Sequence, residues 1–142
     1  MKKQKKEPEE ILAILTSKNE IYFAHPMPTY GSPEEKAILK FLEQKTPAQI
    51  YNPALFPAKE MIFYLQRVKE SDVVIFSSNP DGSIGKGVYS ELKLAAQLKK
   101  PIFYIDLLSL YLTRDFVVLK FIEDEEKADW ENYAHVNYLQ DE

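Results

Sequence analysis

The chain has 142 residues, 45% apolar and 13% aromatic, a composition that supports a packed domain and excludes a disordered polar segment. A formal charge of -4 leaves no basic field for nucleic acid. The absence of cysteine excludes disulfides and thiolate chemistry, and the well-separated His25 and His135 offer no metal-binding pair, so no metal or cofactor is expected.

Residues 1–7 read as a basic, solvated tail, and residues 8–142 as a single α/β domain. No apolar run approaches the roughly 20 residues of a membrane span, and Ile11 to Leu15 is too short for a signal peptide. A cytoplasmic protein without a membrane partner is therefore expected. Pro8 opens a short amphipathic helix carrying Ile11, Leu12, Ile14 and Leu15. Ile21 to Ala24 is the first strand, ended by the Pro- and Gly-bearing loop His25 to Gly31. Ser32-Pro33-Glu34-Glu35 has the form of a capping box, with Glu35 reaching back to the helix start. The helix that follows packs Ile38, Leu39 and Leu42.

Gln49 to Tyr51 is a short edge strand stopped by Asn52-Pro53. A helix from about Ala58 to Glu70 precedes a third strand, Val73 to Phe76. Next come a Gly-rich loop from Ser77 to Gly87, a helix bearing Leu92, Ala95 and Leu98, and a fourth strand, Ile102 to Ile105. Asp106, at its end, either belongs to the segments that converge on the ligand-binding face or simply caps the segment after the strand. Phe116 to Phe121 reads as a fifth strand. The acidic end, with Trp130, Tyr133, Val136 and Tyr138, suits a helix or an arm that docks on a partner.

Apolar strands alternating with helices predict a parallel sheet covered on both faces. The fold class is a flavodoxin- or Rossmann-like three-layer sandwich with five parallel strands in the order 2-1-3-4-5. Ligands of such sheets bind beyond the carboxyl ends of the strands, where the strand order switches. The candidate binding residues there are Ala24, His25, Asn52, Ser77, Asp81, Ser83, Gly85 and Gly87. The glycine loop fits neither G-x-x-x-x-G-K-[ST] nor G-x-G-x-x-G, and is equally an ordinary turn or an anion cradle. Glu91 shares the apolar sector of its helix. Its carboxylate is either a desolvated nucleophile or acid/base group, or a half-exposed side chain paired with a lysine.

Ile21-Tyr22-Phe23-Ala24, Ser71-Asp72-Val73-Val74-Ile75-Phe76 and Gly87-Val88-Tyr89-Ser90-Glu91-Leu92, in this order, resemble the nucleoside 2-deoxyribosyltransferase family and related nucleoside and nucleotide N-glycoside hydrolases. The resemblance runs from about Ile21 to Ile105. It implies Glu91 as a nucleophile that forms a glycosyl ester, Tyr22 as the group that orients it, and Ser83 with neighbouring N–H groups as a site for a 5′-phosphate. Where the family carries a helix aspartate this chain has Tyr64, and Glu60, one turn earlier, is the carboxylate offered in its place. Tyr89 stands where the family has glycine. The resemblance implies a small-molecule nucleoside or nucleotide partner and a homo-oligomer. The alternative reading is a catalytically inactive nucleotide-binding or sensing module of the same fold.

Overall fold

The computed structural model describes residues 9–57, 59–118 and 133–138. In chain order these form α1 (Glu9–Thr16), β1 (Glu20–Ala24), α2 (Pro33–Lys45), β2 (Gln49–Tyr51), α3 (Met61–Glu70) and β3 (Val73–Phe76). There follow β4 (Ser83–Gly85), α4 (Lys86–Gln97), β5 (Ile102–Ile105), β6 (Leu112–Thr113), β7 (Phe116–Val118) and β8 (Tyr133–Tyr138). The anticipated tail, Pro8, Ala58 and Trp130 lie outside the described residues.

The main sheet is five-stranded and mostly parallel, in the order β2-β1-β3-β5-β6. Its register sets Tyr22 opposite both Tyr51 and Val74, and Phe76 opposite Tyr104. Side chains along a strand alternate between faces, and this divides the core in two. Tyr22, Ala24, Val74, Phe76 and Tyr104 pack with Val68 of α3 and Val88, Leu92 and Ala95 of α4. Ile21, Phe23, Val73, Ile75, Phe103 and Ile105 pack with Ile11 and Leu15 of α1 and Ile38 and Leu42 of α2. Apolar residues at consecutive strand positions are thus explained by helices on both sides, in the manner of a three-layer α/β fold.

Strand order departs from the expected 2-1-3-4-5 at the far edge. The fifth strand is Leu112–Thr113, and it runs antiparallel to β5 rather than parallel. Leu110, at φ 55°, turns the chain back after only a short loop, so no helical crossover is available to restore a parallel direction. Of Phe116 to Phe121, anticipated as that fifth strand, Phe116–Val118 instead joins a small antiparallel sheet of order β4-β8-β7, and residues 119–121 lie outside the described residues. Tyr133–Tyr138, anticipated as a helix or docking arm, is the central strand of that sheet. It turns Ala134 and Val136 into the same core as Ile84.

Several local signals hold as expected. Ser32 accepts the Glu35 N–H at 3.1 Å and caps α2. Glu35 reaches back as a capping box requires, but one residue further, to the Gly31 N–H at 3.1 Å. Asp106 Oδ1 accepts the N–H groups of Leu108 and Ser109 after β5. The carboxylate of Asp72 accepts the N–H groups of Asn19 and Glu20 and so joins the starts of β1 and β3; these bonds hold its pKa below the ordinary value. Among the described residues no helix is long and apolar enough to cross a membrane.

Candidate active site

A cavity of ≈ 390 Å³ opens at the carboxyl end of the sheet. Its walls come from His25 to Pro28 and Tyr30 after β1, from Lys59, Met61 and Tyr64 at the start of α3, and from the first turns of α4. The strand order 2-1-3 puts the β1 and α4 segments side by side, as the rule for open α/β sheets requires.

Glu91 stands in the second turn of α4, on the face that also carries Val88, Leu92 and Ala95. Helical spacing turns it inward, and it is only 6% exposed. Tyr22, fully buried on β1, donates its hydroxyl to Glu91 Oε2. Burial pushes the Glu91 carboxyl up to about 8, and the Tyr22 hydrogen bond pulls in the opposite direction. The Tyr22 phenol is raised as well, by burial first and by the neighbouring carboxylate second, so it remains a donor. The result is a single desolvated carboxyl group, aimed by one hydroxyl and bordering a cavity.

His25 contributes differently. Its Nδ1 lies 3.1 Å from the Phe23 carbonyl, an acceptor only, so Nδ1 carries a proton. Its Nε2 lies 2.7 Å from Glu35 Oε2. The ring stacks on Phe23 with centroids 4.1 Å apart, and burial pushes its pKa down while the Glu35 bond pulls it up. Both ring nitrogens are engaged, so His25 shapes the cavity wall rather than offering a free base.

Of the residues anticipated for binding, His25, Gly85 and Gly87 line the cavity with Glu91. Gly87 leaves open wall there: a Cβ added to it would meet only Met61 Sδ, at 3.9 Å. Ala24 is buried in the core at the end of β1. Ser77 is buried beside it, its hydroxyl without a partner among the described residues. Ser83 donates its hydroxyl to Asp81 at 2.6 Å and Asp81 also accepts the Ser83 N–H, so these two side chains build the turn that carries Gly82 at φ 87°. Asn52 accepts the Ala54 N–H at 3.0 Å and borders a separate ≈ 490 Å³ cavity beside β2. Glu60 is exposed at the N-cap of α3 and does not line the site; because the helix starts at Met61, Glu60 lies outside it rather than one turn inside.

Sequence reasoning missed Tyr30, Lys59, Met61, Lys86 and Ser90 as lining residues. Tyr64, noted earlier for its identity, also lines the cavity and donates to the Phe56 carbonyl at 2.5 Å, tying α3 to the loop after β2. The only advance signal for Tyr30 was its place in the loop after β1. Among the described residues no cluster of His, Asp and Glu suited to a metal ion occurs. Comparison of the chain with protein-family models and with curated proteins returns no match.

Proposed function

We propose that the protein cleaves or transfers the N-glycosidic bond of a nucleoside or nucleotide, with Glu91 as nucleophile. The observation that carries this reading is the buried Glu91 carboxyl, aimed by Tyr22 and bordering an open cavity. A carboxylate oxygen of Glu91 attacks the anomeric carbon while the carbon–nitrogen bond breaks and its electron pair leaves with the base, which takes up a proton. Water then hydrolyses the glycosyl ester, or a second base displaces it, and Glu91 is regenerated. This is the two-step route of retaining glycosidases, in which one carboxylate beside an oxocarbenium-like transition state suffices as nucleophile.

Lys59 and Lys86 give the cavity a cationic side suited to an anionic substrate such as a 5′-monophosphate. The absence of a second carboxylate among the lining residues, with Tyr64 and Lys59 in its vicinity, favours as second reading a module that binds the nucleotide without turning it over. A panel of nucleosides and 5′-monophosphates decides between them by release of free base. Under the enzymatic reading Glu91→Gln lowers the rate by roughly 10³-fold or more. Release that persists in Glu91→Gln removes the nucleophile assignment. Ligand-dependent thermal stabilisation without release favours the binding module.

A further inference from the structure

Tyr30 is a lining residue to which the proposed chemistry gives no role. It is half-buried, borders the same cavity as Glu91, and its hydroxyl bonds to no other described residue. Tyr22 is spent on Glu91 and Tyr64 on the Phe56 carbonyl, which leaves Tyr30 as a phenol facing the cavity with its donor uncommitted. The position is not loose. The Tyr30 ring leans on His25 with centroids 4.7 Å apart, and His25 is in turn fixed by Phe23 and Glu35. The other oxygen of Glu35 holds the Gly31 N–H, immediately after Tyr30, at 3.1 Å. Two contacts from one buried pair, one to the ring and one to the N–H of the next residue, therefore hold this tyrosine.

We propose that Tyr30 is the base-recognising hydroxyl of the cavity, presented to a nucleobase by the His25–Glu35 pair. This inference rests on reading the cavity as a nucleoside or nucleotide site. The wall that carries Tyr30 also carries Pro26, Met27 and Pro28 and no charged side chain, whereas Lys59 and Lys86 belong to other segments. A planar, uncharged base with acceptors on its edge matches the first wall, and an anionic 5′ end matches the lysines. The sugar then lies between them, at Glu91. Burial, and after it the charge of Glu91, raises the pKa of Tyr30, so the phenol stays protonated and able to donate across the neutral range.

The test is direct binding of the common nucleosides and their 5′-monophosphates, with ribose and ribose 5-phosphate as base-free controls, to the full chain and to Tyr30→Phe. Loss of one buried hydrogen bond is expected to weaken the nucleosides or nucleotides by about tenfold, while the base-free sugars keep their affinity within about twofold. Unchanged nucleotide affinity in Tyr30→Phe overturns the assignment, as does an equal loss for ribose 5-phosphate. Tyr30→Leu is the second variant, and nucleotide binding by it at wild-type strength also overturns the assignment. Binding without base release in the wild-type protein removes the catalytic reading but leaves base recognition by Tyr30 standing. Failure of the wild-type protein to bind any of these compounds removes both.

Discussion

At the scale of the residue, Glu91 combines two opposing requirements. A nucleophile must be ionised, yet burial holds this carboxyl up at about 8, well above the ordinary carboxylate range. Ionisation is the condition for attack, so base release should rise with pH through that region in the free protein. In Tyr22→Phe the carboxylate loses the bond that lowers its pKa. The rising limb should therefore move to higher pH, and the rate at pH 7 should fall by about 10-fold to 100-fold; a pH–rate profile of both proteins checks this. The same shift has a sign for folding. An unfolded Glu ionises near 4.5 and the folded one near 8, so ionisation opposes folding increasingly between these values. Glu91 was legible in the sequence because the 3.6-residue period turns it inward with Val88, Leu92 and Ala95. Tyr30 was not: its role depends on a ring contact with His25 and on a cavity closed by segments distant in sequence. Glu60 was misplaced because the helix starts later than its apolar spacing implied.

At the scale of the element, the stretch from β1 to α2 is the best specified. Ser32 and Pro33 start the helix, Gly31 at φ 75° takes a backbone conformation open to glycine, and Glu35 serves cap, loop and His25 together. Removing that carboxylate leaves one His25 nitrogen unpaired in a buried setting and takes the acceptor from the more exposed Gly31 N–H. Glu35→Ala should lose about 1–3 kcal/mol of stability, measurable by urea denaturation, and Glu35→Gln should recover part of it. The capping box was visible in four residues of sequence; the histidine partner was not, because a side chain that accepts two bonds across ten residues leaves no periodic trace. The short strands β4 and β6 escaped for a related reason. Three residues inside a glycine loop, and two after a tight turn, are below the length at which alternation can be recognised.

At the scale of the molecule, the four parallel strands β2, β1, β3 and β5 were legible because helices cover both faces and force near-continuous apolar runs. What the sequence left open was how the chain ends. β8 crosses from the acidic C-terminal region to pair with β4, and Val136 and Ala134 enter the core beside Ile84. Gly85, the last residue of β4, is the N-cap of α4, so this small sheet supports the helix that carries Glu91. Val136→Asp places a carboxylate in that core without a partner. It should lower the melting temperature measurably, on the order of 2–4 kcal/mol of destabilisation, and weaken any activity that depends on Glu91 through displacement of α4. Thermal unfolding followed by circular dichroism, alongside base release, checks both effects.

The two ends of the main sheet carry a consequence for how copies of the chain behave in a crowded solution. One border is β2, three residues long, and the other is β6, two residues long and reversed in direction. An exposed edge invites strand addition from another chain in proportion to the row of unpaired N–H and C=O groups it presents, and short edge strands are a recognised defence. Neither border presents such a row, although the three strands within, β1, β3 and β5, are rich in the β-branched and aromatic residues that favour cross-β stacking. The irregular far edge that breaks the expected strand order thus acts as a guard, keeping an aggregation-prone interior from being copied outward while the fold is intact.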